Sequence, residues 1–148
     1  MPHYEVLFAR SRRSGRLAIA GLLIASCLAG CAGSDTVSGR IDITPKLART
    51  LRASDTLYVI ATRPNAPGAP PVAVARMVGM RFPVNYTIDR EDAIRPGSPL
   101  DGPLQIRAVI KRSGMVDVAV PGDMSGAYAH GPVNVGTSHV DFTINHLN

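Results

Sequence analysis

Short runs of alternating apolar and polar residues constrain the fold of this chain more than any other feature. From residue 39 onward these runs are four to eight residues long, and clusters of proline and glycine separate them. Alternation with a period of two places the apolar side chains on one face of a β-strand. The predicted strands are Gly39–Ile43, Asp55–Thr62, Val72–Val78, Phe82–Ile88, Leu104–Ile110, Met115–Val120, Pro132–Val135 and His139–Ile144.

The pattern predicts an all-β protein, an antiparallel β-sandwich of about seven strands. Asp55–Thr62 is apolar on both faces, which is typical of a central strand. Helix is expected only as one or two short turns, at Pro45–Leu51 and as a capped turn at Asp89–Ile94. The residues expected to be mostly buried are Tyr58, Phe82, Tyr86 and Phe142, together with Ile41, Leu57, Val59, Ile88, Ile106 and Ile110.

The N-terminus has the pattern of a secretory signal. Leu17–Gly30 is a run of 14 uncharged residues, and four arginines precede it between residues 10 and 16. As a helix this run spans about 21 Å, which is short of the hydrocarbon core of a bilayer, about 30 Å, so a permanent transmembrane helix is the weaker reading. Ser11-Arg12-Arg13 suggests a twin-arginine signal, but the usual apolar pair does not follow it.

The signal ends at Leu28-Ala29-Gly30-Cys31, which resembles a bacterial lipobox. We expect cleavage between Gly30 and Cys31 and lipidation of the Cys31 thiol, with palmitate among several acyl chains that together anchor the protein stably. The predicted organisation is a signal peptide over 1–30, a lipidated tether over 31–37 and a β-sandwich domain over 38–148. Ala32, rather than aspartate, follows the cysteine and favours the outer membrane over the inner.

Charge and cysteine content exclude several classes of function. The formal charge of +5 comes largely from the signal, because residues 31–148 carry 12 basic and 10 acidic side chains. With no tryptophan and no basic patch among aromatics, a nucleic-acid binder is not expected. Cys27 leaves with the signal and Cys31 takes lipid, so a disulfide and a catalytic cysteine are not expected either.

No motif predicts catalysis, a metal or a cofactor. His139 and Asp141 lie two residues apart on one strand, which is half a metal site and is better explained as a solvated face. The methionines Met77, Met80, Met115 and Met124 are explained as core filler rather than copper ligands. The acidic cluster Asp89, Glu91 and Asp92 is explained as turn capping. The nucleophile elbow of a hydrolase is absent from the sequence, so we expect a protein that is not an enzyme.

Three long loops are the candidates for binding a partner. They are residues 64–71, 89–103 and 121–131, and in a sandwich such loops often carry function. Their role as simple connections is an equally good interpretation. Arg107, Lys111 and Arg112 form either a basic patch or a charge-protected strand edge. The residues proposed for partner contact are Pro67, Pro70, Pro71, Pro96, Gly97 and Asp123.

Several motifs in the same order resemble the C-terminal periplasmic domain of the CycH/CcmI-type cytochrome c biogenesis proteins. The segments that carry the resemblance are Gly39–Ala48, Asp55–Val59, Pro70–Val74, Phe82–Asp89, Pro96-Gly97, Ser113-Gly114, Pro121–Gly126 and Val133–Gly136. The resemblance implies an immunoglobulin-like sandwich. Full-length family members also carry inner-membrane helices and tetratricopeptide repeats that hold apocytochrome c, and the resemblance does not include them. The fold is therefore implied more directly than the role.

Taken together, the signal and the resemblance predict a non-catalytic lipoprotein that faces the periplasm. Its expected partners are the membrane, through the lipid, and another envelope protein, with cytochrome c maturation components as the candidates. The alternative is a general structural or assembly lipoprotein of the envelope that is unrelated to cytochromes. No cofactor, metal or nucleic acid is expected.

Overall fold

The computed structural model describes residues 35–65, 68–115 and 120–148. Within these residues the chain forms nine strands and one helix of four residues. The elements are β1 (Val37–Ile43), α1 (Pro45–Ala48), β2 (Thr56–Thr62), β3 (Ala73–Val78), β4 (Val84–Ile88), β5 (Pro103–Lys111), β6 (Met124–Ala127), β7 (Val133–Asn134), β8 (Phe142–Ile144) and β9 (His146–Leu147).

Two sheets form the sandwich. The smaller sheet has the strand order β4-β1-β8, and the larger has the order β3-β2-β5-β6-β9, with β7 paired to the start of β5. The predicted all-β immunoglobulin-like sandwich is therefore confirmed. One pair, β1 with β8, is parallel, whereas the other described strand pairs are antiparallel. The antiparallel prediction missed this pair because alternation reports the buried face of a strand and not the direction of its neighbour.

The main core lies between the sheets and contains two of the four aromatic residues predicted to be buried. Tyr86 and Phe142 are buried and meet edge to face, with ring centroids 6.0 Å apart. The Tyr86 hydroxyl donates to the Val140 carbonyl oxygen at 2.8 Å, which satisfies both buried groups. Phe82 was predicted to be mostly buried, but it is only partly buried. It precedes the start of β4 and so lies at the margin of the sheet.

The central position predicted for β2 is confirmed. This strand lies between β3 and β5 and is buried along almost its whole length. Leu57 and Val59 face the main core, whereas Tyr58 and Ile60 pack with Val109 on the opposite face of the larger sheet. The Tyr58 hydroxyl donates to the Gly114 carbonyl oxygen at 2.6 Å, so the segment after β5 is tied to that second face.

The C-terminal strand is shorter than predicted. Val140, Phe142 and Ile144 face inward as expected, but β8 begins only at Phe142. His139 has a φ of 60°, in the left-handed region, and this interrupts the extended backbone. The chain also crosses β1 closely here, because a Cβ on Gly39 would lie 2.2 Å from the Val140 carbonyl oxygen. Only glycine fits that crossing.

Two of the remaining short elements were not predicted: β6 lies within the 121–131 segment that the sequence analysis assigned to a loop, and β9 follows the last predicted strand. Proline opens α1, and a further turn continues it to Leu51. β1 begins at Val37, which is fully buried, one residue before the predicted start of the domain. The predicted Met115–Val120 strand falls mostly outside the described residues. No helix within the described parts of the chain has the length and hydropathy that a membrane crossing requires.

Candidate partner-binding groove

Two of the three predicted loops lie side by side along the outer edge of β3. The Val74 N–H donates to the Asp92 carbonyl at 2.9 Å, and the Ile94 N–H donates to the Val72 carbonyl at 3.0 Å. These bonds flank a bridge between Ala73 and Ala93. Antiparallel pairing of this kind fixes the 89–103 loop against β3. The connection from β2 to β3, residues 63–72, contains the predicted 64–71 loop and is called the 63–72 loop.

A second set of contacts closes the far end of the same loop. The guanidinium of Arg63, just after β2, donates to both the carbonyl and the carboxylate of Asp101. The next residue, Gly102, has a φ of 67°, and a Cβ there would lie 2.7 Å from the Arg63 guanidinium. Leu100, next to Asp101, is buried in the core and attaches this end of the loop to it. The loop is therefore anchored by backbone, ion pair and apolar contact.

The turn at residues 95–98 explains Pro96 and Gly97. The Ser98 N–H donates to the Arg95 carbonyl at 3.0 Å, and Gly97 has a φ of 78°. Proline followed by a glycine of positive φ is typical of a type II turn. Both residues are exposed at the tip of the turn. They set the direction of the loop, and neither residue lines the groove that lies beside it.

Between the two loops lies a groove of about 570 Å³, which is within the usual size range of ligand pockets. Prolines and aliphatic side chains supply most of its surface, and Arg63, Arg95 and Asp101 are the charged residues that line it. Its apolar lining includes Pro70, Pro71, Val72 and Ile94. Ile94 is 51% exposed, which is unusual for an isoleucine beside a fixed backbone. Pro67 lies outside the described residues.

The acidic cluster at the start of the second loop holds the backbone in place. The Glu91 N–H donates to Asp89 Oδ1 at 2.7 Å, and the Asp89 N–H donates to Asp92 Oδ2 at 3.2 Å. Burial raises the pKa of Asp92, and the carboxylates of Asp89 and Glu91 add to this rise, while the hydrogen bond from Asp89 opposes it. The turn-capping interpretation of this cluster is confirmed.

Asp123, in the third loop, is not available to a partner. Its side chain is fully buried, and its Oδ2 lies 2.8 Å from the Lys111 Nζ. The backbone N–H groups of Val120 and Arg112 also donate to its carboxylate, at 2.9 and 3.3 Å. Burial alone would raise the pKa of Asp123, but the hydrogen bonds from Lys111 and the backbone outweigh it and hold the pKa below its usual range. The loop of Asp123 is a structural element, and the partner contact proposed for this residue is wrong.

The same ion pair removes the basic patch considered for β5. Lys111 is buried against Asp123, and only Arg107 of the three candidate residues is exposed.

The methionines differ in burial. Met124 is fully buried in the core, Met77 and Met80 are partly buried and pack against the core, and Met115 is exposed. Among the described residues there is no group of three or more His, Cys, Asp or Glu side chains that could hold a metal ion.

Comparison with known proteins identifies the fold family. The family model of the cytochrome c-type biogenesis protein H Ig-like domain matches residues 37–145. The chain belongs to this family. The match begins at the first residue of β1 and ends just after β8, so it covers every strand except β9 and both loops of the groove.

The other comparisons add little to the family assignment. No curated protein matches the chain. A solved structure of an alternative pilotin from the type II secretion system of Vibrio cholerae is similar over 74% of this chain and 93% of its own, with a TM-score of 0.44 and 17% identity. A likeness of that size supports no conclusion about this member of the CycH Ig-like family.

The predicted lipidation site, Cys31, and the cleavage position after Gly30 lie outside the described residues.

Sequence reasoning missed two groove residues that the fold reveals, Ile94 and Arg63. Ile94 offered a signal, because a large aliphatic residue stood alone among polar, proline and glycine residues. Arg63 offered none, since its partner Asp101 is 38 residues away.

Proposed function

We propose that this CycH Ig-like domain is a non-catalytic lipoprotein of the cell envelope that binds another protein in the maturation of c-type cytochromes. The observation that carries the proposal is the groove between the 63–72 and 89–103 loops. It is apolar, its walls are fixed by hydrogen bonds and a buried leucine, and an exposed isoleucine projects from one wall. Family membership supports the link to cytochrome c biogenesis.

The anchor in this proposal is the Cys31 lipid, on the periplasmic side of the outer membrane. Residues 31–34 separate that lipid from Asp35, which pairs with Arg90 at the entry to the folded domain. Four extended residues span at most about 14 Å. A lipidated chain would therefore hold the domain close to the bilayer, with Arg90, at the start of the 89–103 loop, beside the chain entry.

A binding role accounts for the charged side chains better than a catalytic role does. The carboxylates of Asp89 and Asp92 are engaged with backbone N–H groups, and that of Asp123 is held by a lysine. Catalytic acids and bases instead face a cleft, where substrate reaches them. The groove offers apolar surface and guanidinium groups, which suit recognition of a protein segment.

Deletion of the gene, followed by haem staining of c-type cytochromes, tests the proposed role. We expect loss of holocytochrome and rescue by the wild-type gene. We also expect Cys31→Ala and Ile94→Asp to rescue poorly, because the first removes the anchor and the second places a charge in the groove. Val78→Asp is the matched control, since Val78 is 60% exposed at the end of β3 away from the groove.

Photo-crosslinking in intact cells identifies the partner. A photoreactive residue at position 94 should trap a cytochrome maturation protein, whereas one at position 78 should not. Normal haem-stained cytochromes in the deletion strain, with no maturation component in the crosslinks, would favour a general envelope lipoprotein instead. Membrane retention and unchanged size of the Cys31→Ala protein would refute the lipid anchor.

A further inference from the structure

We propose that the groove binds an extended protein segment in which a bulky apolar side chain stands next to a carboxylate. This inference rests on the proposed function, because it takes the groove as the partner site and specifies the chemistry of what enters it. The basis is the distribution of charge along the groove, together with the fixed position of its walls.

The charges lining the groove do not cancel. Arg63 and Asp101 neutralise each other through their ion pair. Arg95 is exposed and also lines the groove, yet among the described residues the ion pairs are Arg40–Asp42, Arg63–Asp101, Arg90–Asp35 and Lys111–Asp123. The groove therefore presents one uncompensated guanidinium. A guanidinium binds a carboxylate through paired, charge-assisted hydrogen bonds, which sets both the charge and the orientation of an occupant.

The apolar half of the groove stands directly beside that charge. Ile94 precedes Arg95 in the chain, and Pro71 and Val72 face it from the opposite loop. An aliphatic or aromatic side chain can be buried there while its neighbour in sequence reaches the guanidinium. One apolar anchor in a pocket with a charged contact at its rim is the usual arrangement of a protein interface.

The backbone around both groups is fixed before anything binds. The Ile94 N–H is bonded to the Val72 carbonyl, and the Arg95 carbonyl accepts the N–H of Ser98 in the turn. An occupant therefore does not have to order the loop, and more of the contact energy remains as affinity. Prolines in the facing loop have the same effect, because their φ angle is already restricted.

Fluorescence anisotropy with defined peptides tests the inference on the full chain in detergent micelles. The probe is the fluorescein-labelled peptide Ser-Gly-Asp-Leu-Gly-Ser-Gly, and two controls replace its Asp with Lys or its Leu with Ser. We expect the acidic peptide to bind at least tenfold more tightly than either control. Arg95→Glu should invert the preference between the acidic and the basic peptide, and Ile94→Ser should weaken both.

Matched variants on β3, outside the groove, distinguish binding in the groove from a general effect of charge on the protein surface. Arg76→Glu and Val78→Ser change an exposed arginine and an exposed aliphatic residue outside the groove, and we expect both to bind like the wild type. Equal affinity for the three peptides, or equal losses in the Arg76 and Arg95 variants, would overturn the inference.

Two further outcomes also count against it. A dimer in sedimentation that Arg95→Glu disrupts would show that a second copy of the chain fills the groove. Absence of saturable binding up to millimolar peptide would refute the proposed chemistry, whereas the role in cytochrome maturation would still be judged by haem staining. If the Ile94→Asp strain loses holocytochrome while the wild-type protein binds none of the three peptides, the proposed function stands and the inferred ligand is wrong.

Discussion

The groove loops and the loop that carries Asp123 look alike in sequence, yet the structure buries their ion pairs to different degrees. Both contain proline and several glycines, and both contain an acidic residue that pairs with a basic one. In the groove, the side chains of Arg63 and Asp101 are 40% and 60% exposed. In the other loop, the side chains of Lys111 and Asp123 are 6% and 0% exposed.

That difference in burial decides what each ion pair does. The exposed ion pair replaces hydrogen bonds to water with a contact of similar free energy. It therefore positions a loop and adds little to the free energy of unfolding. The buried pair has given up its hydration, and three groups around the Asp123 carboxylate now replace the lost water. These are the Lys111 ammonium and the N–H groups of Val120 and Arg112. The Asp123 loop is therefore held by the fold, whereas the exposed pair leaves the groove loops accessible for the proposed binding role.

Asp123→Ala should have the largest effect on stability. It leaves a buried lysine without its carboxylate, which costs about 3–5 kcal/mol of unfolding free energy. Urea denaturation followed by circular dichroism measures this loss. Asp101→Ala is the matched control and should cost less than about 1 kcal/mol.

The double variant Lys111→Met with Asp123→Leu sharpens this result. Because it removes both charges, it should recover part of the loss, but not all, since the Val120 and Arg112 N–H groups still lack an acceptor. Equal losses for Asp123→Ala and Asp101→Ala would show that the two loops do not differ as proposed.

Leu100→Ala should have the next largest effect, although it lies in the loop that we assign to binding. Leu100 is buried in the core, and its truncation should cost about 2–4 kcal/mol. The loss would show that the groove wall is attached to the core at this point. Ile94→Ala, six residues earlier and half exposed, is the control and should leave the urea midpoint nearly unchanged. A similar midpoint for both variants would contradict the anchored loop.

Acid should remove the stability that the Asp123 carboxylate contributes to the folded chain. The pKa of Asp123 is lower in the folded chain than in the unfolded chain, so its contribution is complete above the unfolded value, about 3.9. It is lost as the pH falls through the folded value. Urea unfolding of the wild type should therefore show a fall in stability below about pH 4, and Asp123→Asn should lack this component. Identical acid profiles for the two proteins would refute it.

The sequence predicted the elements of this comparison better than their contacts. Alternation located β1 to β5 within a few residues, because an apolar face is a local property that the chain displays directly. The groove depends on two hydrogen bonds between β3 and the 92–94 segment, which lies almost twenty residues further along the chain. No sequence period encodes such a pairing. The two loops could therefore be identified as candidates for binding, but their contact with each other could not be predicted.

The burial of Asp123 is a second feature that the sequence could not predict. An acidic residue between Gly122 and Met124 in a glycine-rich loop is ordinarily solvated, and only the pairing of β5 with β6 brings Lys111 beside it. Burial of a charge is a tertiary property, because it requires a partner from another strand. The predicted lipobox is the contrasting case, since the prediction depends on consecutive residues alone.

Arg63→Ala should have the smallest effect on stability and is the most sensitive test of the comparison. The pair with Asp101 is exposed, so its loss should cost at most about 1 kcal/mol at low salt. In 1 M NaCl the cost should nearly vanish, because the Debye length falls to about 3 Å. The cost of Asp123→Ala should persist at the same salt, since its ion pair is screened much less. If Arg63→Ala instead remained costly in salt, the 89–103 loop would be part of the folding core, and its assignment as a binding surface would have to be abandoned.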